Sequence, residues 1–313
     1  MSTEPPSTEA MLDAQTKPHE VKTFDAFREV INEVLGTPQR QARTIFRGHA
    51  KTTYRLEPTL DRLVSKLNSG LAAPKDVSQT RRGAEEWLLS EFRRGVHHHH
   101  QVTLRDDDYL GWLSLMQHHG TPTRLLDWTL SPHVALYFAI QPGETECVVW
   151  AYTSPTMPEV LEGVFEWRNA LTEKGAVLMK NQMDALEEWN GVESLHRAIN
   201  IILQFGVAED LPLAPAIRPY QLNLRVTAQQ GLFVIPLAAK IPFEKCLLQT
   251  ALRSRIDWPI LHKITIKDHD RKEMMRELQR MNITHATLFP GLDGYAKSLE
   301  DRYALEGELA SAL

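Results

Sequence analysis

The sequence predicts an α+β fold, with short strands in small mixed or antiparallel sheets flanked by helices. Three observations lead there. Helical and strand-like segments alternate without the regular βα succession of a doubly wound sheet. The strand-like runs are short, whereas several helices carry well-marked caps. The 313 residues are 42% hydrophobic and 24% charged, enough to bury a substantial core.

The elements follow in order. Residues 1–20 are rich in Ser, Thr, Pro and Glu and read as a disordered tail that cannot offset its ordering entropy. A helix is expected over 24–35, N-capped by Thr23 and stopped by Gly36. Residues 44–46 read as a short strand ending at Arg47-Gly48, 54–63 as loop and short helix, and 68–77 as a surface loop. The 79–96 stretch is helical, with Trp87, Leu88 and Phe92 on one side. Three aspartates open a helix over 106–116, where negative charge is favoured. Tyr109, Leu113 and Met116 form its apolar stripe, and Gly120 and Pro122 end it.

Ser131 as N-cap and Pro132 at the first helical position begin an almost wholly apolar helix through Val134, Ala135, Leu136, Phe138 and Ala139. Pro142-Gly143 ends it, and 147–152 reads as a central strand. Residues 155–215 look like a helical insert with Trp167, Leu186, Trp189, Leu195, Ile199 and Ile202 on its apolar faces, and 210–219 is a proline-bearing loop. Strands over 222–226 and 231–237 flank Gln229-Gln230. A strand over 260–266, a helix over 270–281, a last short strand over 286–289 and a C-terminal tail over 301–313 complete the chain.

The net charge of −5 gives no general attraction to nucleic-acid backbones or anionic membranes. Cys147 and Cys246, the only cysteines, sit in apolar runs and exclude a disulfide scaffold. No signal peptide and no membrane span is legible, so a cytoplasmic protein without membrane contact is expected. The phosphate loop, the dinucleotide fingerprint, HExxH and GxSxG are all missing. His97–His100 looks metal-binding, but consecutive helical residues point in different directions and cannot converge on one ion; no metal is expected.

Candidate chemistry gathers in two places. Arg47, at the end of a strand and followed by Gly48, suits bidentate grip of phosphate or carboxylate. An Arg47–Asp127 ion pair holding the fold is the alternative, and the two are compatible. The second place is the polar run over 117–131. Strand alternation puts Thr123, Leu125, Asp127 and Thr129 on one face and Arg124, Leu126 and Trp128 on the other. Asp127 and Thr129 then face a cleft, or serve as an ion-pair lock and a cap. His118 and His119, ahead of the Gly120-Thr121-Pro122 turn, are either acid–base groups or caps of the preceding helix.

Phe46-Arg47-Gly48, Tyr54-Arg55-Leu56-Glu57-Pro58, Gln117-His118-His119-Gly120, Thr123 to Thr129, Ser131 to Ala139, Gln229 to Phe233 and Leu288 to Gly294 together resemble the FRG domain family. The resemblance spans about residues 24–300 and implies an FRG domain over 21–300 carrying the 155–215 insert. Family members are bacterial and phage proteins, largely of unknown activity. The order of pieces is also similar to ADP-ribosyltransferases of the Arg-Ser-Glu type. Arg47 would be the first element, Thr129 and Ser131 the second, and Gln229-Gln230 the third.

That second resemblance implies an ADP-ribosyltransferase-like fold, with NAD as cofactor and a protein or nucleic acid as acceptor. It makes Arg47, Gly48, Gln117, Thr123, Arg124, Thr129 and Ser131 candidates for binding NAD. Asp127, Gln229, Gln230, His118 and His119 become the catalytic candidates. The chain departs from the pattern at the third element, where an amide stands in place of the carboxylate and cannot act as a base. Three functions follow. The first is a transferase or glycohydrolase acting as a toxin or phage-defence effector. The second is a nucleotide-binding module without turnover, and the third a scaffold docking through the insert.

Overall fold

The computed structural model describes residues 12, 14–69, 77–99, 101–169, 192–205, 211–219, 223–238, 241–253 and 260–310. Seven strands form one mixed sheet: β1 (Thr16–Val21), β2 (Thr44–His49), β3 (Leu126–Thr129), β4 (Glu146–Thr153), β5 (Ala216–Ile217), β6 (Gly231–Val234) and β7 (Leu261–Lys267), in the order β1-β7-β4-β2-β3-β6-β5. Only β1 and β7 run parallel; every other neighbouring pair is antiparallel. The strands thus join a single sheet where several small ones were expected. Helices flank it on both faces.

On one face lie α1 (Phe24–Leu35), α6 (Pro132–Ile140) and α11 (Arg271–Arg280), packed on Phe46, Val149, Ala151 and Ile264. α1 is capped by Thr23, whose side chain accepts from the Ala26 amide, and is stopped by Gly36 at φ +42°. In α6, the Ser131 hydroxyl accepts from the Val134 amide and Pro132 occupies the first turn. Both helices start and stop where the cap signals place them. The opposite face carries α10 (Phe243–Arg253) over Trp128, Val148 and Tyr152. A separate helical layer of α4 (Val77–Val96), α5 (Tyr109–His118), α7 (Met157–Asn169) and α8 (Val192–Phe205) packs around Phe233 and Ile217 at the β6-β5 end of the sheet. β4 is buried along almost its whole length because both its faces are covered.

Several expectations are corrected. β1 begins inside the presumed N-terminal tail. It is an edge strand with only Val21 buried and with Lys17 and Glu20 ion-paired to Glu33 and Lys267, so its sequence looks like solvated chain. The 222–226 strand is instead a short helix, α9 (Leu224–Ala228), capped by Asn223. The 286–289 strand is likewise helical: α12 (His285–Leu288) is nucleated by a reciprocal Thr284–Thr287 capping box. α13 (Leu292–Ala310) continues helical into the expected C-terminal tail. Trp87 is exposed while Leu88 and Phe92 pack inward. Within the insert, Ile199 and Ile202 are buried; Leu186 and Trp189 lie outside the described residues, as does His100.

Candidate functional site

The sheet opens between β2 and β3. β2 pairs with β4 along its whole length but meets β3 at one position, Phe46 opposite Thr129. Beyond that point the Arg47 side chain fills the parting. Its Nη1 donates to the main-chain carbonyl of Asp127, and its Nε donates to His49 Nε2 at 2.9 Å. Arg47 and His49 are two residues apart on one strand and therefore share a face. Burial lowers Arg47 to about 10, opposed by the nearby Asp127 charge, so the guanidinium stays charged at neutral pH. Burial, with Arg47 beside it, drops His49 to about 3. The imidazole is neutral, with Nε2 as acceptor.

Asp127 points to the other face of β3 from the buried Leu126 and Trp128 and remains exposed. Its carboxylate accepts from Gln117 Nε2 at 2.8 Å, and Gln117 Oε1 in turn accepts from the Thr123 hydroxyl. Arg47 therefore touches the carbonyl of Asp127 while Gln117 orients its carboxylate. In place of the alternative Arg47–Asp127 ion pair there are two separate tethers on one residue. Thr129 Oγ1 donates to the Gln229 carbonyl at 2.7 Å and accepts from the Ser131 amide at 3.0 Å, fastening the start of α6 to the turn before β6.

Gly48 explains how α6 reaches this place. A Cβ there would lie 2.0 Å from the Ala135 carbonyl oxygen and 2.8 Å from the Ala139 nitrogen, so the helix backbone rests directly on the strand. Phe138, one helical position before that amide, then borders the opening. Arg47, Gly48, Asp127, Thr129, Phe138, Arg225 and Gln229, with Phe46 and Trp128, line one cavity of about 270 Å³. Two arginines, one carboxylate and one amide, set among the aromatic residues Phe46, Trp128 and Phe138, give it a net positive wall. The Arg225 guanidinium lies 4.7 Å over the Phe289 ring, which also packs edge-on against Phe138 at 6.0 Å. Gln229 Nε2 donates to the Leu288 carbonyl at 3.0 Å.

The three stretches singled out in the sequence thus meet at one hollow, though not every residue does. Gln117 and Thr123 stand behind Asp127 as supports, and Ser131 caps α6. Arg124 is turned away: its guanidinium grips Glu85 in a buried bidentate pair. Gln230 is exposed at φ +49° in the turn ahead of β6, with its carbonyl accepting from Leu130, and is not part of the wall. His118 and His119 end α5 against each other, ring centroids 4.8 Å apart, and do not line the cavity either. His49, Phe138 and Arg225 are additions. The strand period could have found His49; Phe138 reads as core in an apolar helix, and Arg225 lies in a segment that reads as strand.

Among the described residues, no group of three or more His, Cys, Asp or Glu could hold a metal ion. Cys147 and Cys246 are free and buried, which pushes both thiols up to about 12. No described helix is long and apolar enough to cross a membrane.

Comparison with known proteins is informative at the family level. No curated protein and no solved structure matches the chain. Residues 42–146 match the FRG domain family. That region supplies Arg47, Gln117, Asp127, Thr129 and Phe138, while Arg225 and Gln229 come from beyond it. The stretch from β2 to the start of β4, which builds the parted strands and the helix resting on Gly48, is an FRG domain.

Proposed function

We propose that the cavity between β2 and β3 binds the ribose-phosphate portion of NAD and that the protein is an NAD-dependent transferase or glycohydrolase. The observation that carries this reading is the juxtaposition of a tethered guanidinium and a tethered carboxylate on one cavity wall: Arg47 fixed by His49 and the Asp127 carbonyl, and the Asp127 carboxylate fixed by Gln117. Arg47 keeps guanidinium N–H groups beyond those two bonds, and Arg225 supplies a second cation. Together they suit a diphosphate.

In the proposed chemistry the bond between the nicotinamide nitrogen and the ribose carbon breaks, and nicotinamide leaves with the bonding pair. Positive charge develops on the ribose, where the Asp127 carboxylate stabilises it. Water or an acceptor group then adds to that carbon and gives its proton to Asp127. Gln229 cannot take this role because an amide accepts no proton at neutral pH. Asp127 is the one carboxylate on the wall. In a cell such an activity would make the protein a toxin or phage-defence effector, by consuming NAD or by modifying a protein or nucleic acid.

The amide at Gln229 favours a second reading, nucleotide binding without turnover. Labelled NAD separates the two. The first reading expects nicotinamide release by the wild type, release abolished but NAD still bound in Asp127→Asn, and release lost with NAD binding weakened roughly tenfold or more in Arg47→Ala. Binding without release by the wild type selects the second reading, and absence of both rejects the two together.

A further inference from the structure

A second cavity, of about 120 Å³, lies on the far side of α6 between α11, α12 and α13. Its floor is apolar, with Met275 and Leu305 buried. One end is polar, and the bonding there fixes the protons. The Tyr137 hydroxyl is 3.2 Å from Asp301 Oδ2 and 3.0 Å from His285 Nδ1. Asp301 pairs through its other oxygen with Arg271 at 3.6 Å. An ionised carboxylate only accepts, so the hydroxyl donates to Asp301 and accepts from His285 Nδ1–H. Burial holds His285 below its usual value, which keeps the ring neutral and leaves Nε2 as a lone-pair acceptor. Both His285 and Asp301 thus keep acceptor capacity at the polar end.

We infer that this cavity is a binding site for a neutral molecule with a single aromatic ring and one hydrogen-bond donor, such as a phenol or an aniline. Three features set that class. The volume is comparable to the roughly 150 Å³ apolar cavities that take up one benzene ring. At the Asp301–His285 end both groups accept, so a donor on the guest is complementary there. Arg302 also borders the cavity, and its positive charge disfavours a cationic amine.

The test titrates the full chain with phenol, and with toluene as a ring of similar size without a donor, followed by calorimetry. The inference expects saturable phenol binding at one site and toluene roughly tenfold or more weaker. Two substitutions place a larger side chain in the cavity, Ala286→Leu on α12 and Ser298→Leu on α13. Each should remove phenol binding while near-ultraviolet circular dichroism keeps the wild-type signature. Should Ser298→Leu fail to fold, Ala286→Leu alone decides. No saturable heat with phenol, equal binding of toluene, or phenol binding that survives filling would overturn the inference and leave a water-filled void. NAD is absent from all these measurements, so the outcome is independent of the proposal for the cavity between β2 and β3.

Discussion

His49 is where the site's chemistry meets the stability of the fold. Its neutral ring accepts from Arg47, and its folded value near 3 lies well below the ordinary value near 6.5. The sign follows from linkage. Below the ordinary value the unfolded chain binds a proton that the folded chain refuses, so stability present at neutral pH is lost as pH falls from about 6.5 towards 3. By pH 4.5 the loss from this residue alone reaches on the order of 2 kcal/mol. Urea unfolding at pH 7 and pH 4.5 should show a smaller difference in His49→Gln than in the wild type. Equal differences would mean that the ring does not hold Arg47 as described. A second prediction concerns the buried Arg124–Glu85 pair. Glu85→Ala strands an uncompensated guanidinium and should cost roughly 3–5 kcal/mol in the same assay. Arg124 also shows the limit of reading single residues. Its position in a polar strand looks functional, and only the distant Glu85 on α4 reveals that it is a lock.

Elements were legible where the chain states its own boundaries. Thr23 and Gly36 bracket α1, and Ser131-Pro132 open α6, because caps act within a few residues of where they are read. β1, α9 and α12 were not. β1 is defined by pairing with β7, some 240 positions away, and buries one side chain; α9 and α12 are so short that their caps are their only signature. The same distinction divides the site. Arg47, Asp127 and Thr129 stood out because polar residues on a buried strand are conspicuous. Phe138 and Arg225 were hidden because their relevance comes from packing against Phe289. The contact of α6 with β2 gives the prediction at this scale. Gly48→Ala drives a methyl group into the Ala135 carbonyl and should cost at least ~2–3 kcal/mol, measured by chemical denaturation. A near-neutral result would mean that the helix does not rest on the strand.

At the scale of the whole molecule, the sheet order explains why residues far apart in sequence meet. β2 and β3 are neighbours that separate after one paired position, and β6 lies directly beyond β3, bringing Gln229 and α9 to the same opening. The matched FRG region supplies most of the wall, and the chain beyond it closes the remaining side with Arg225, Gln229 and Phe289. The decisive property of the molecule is therefore whether this parting of the sheet receives a phosphate-bearing guest. The most direct measurement is calorimetric titration of the intact chain with ADP-ribose, which lacks the scissile bond and so reports binding alone. Saturable one-site binding is expected, weakened roughly tenfold to a hundredfold in Arg47→Ala and in Arg225→Ala, with both variants folded. Absence of binding by the wild type, or an affinity indifferent to both arginines, would contradict it.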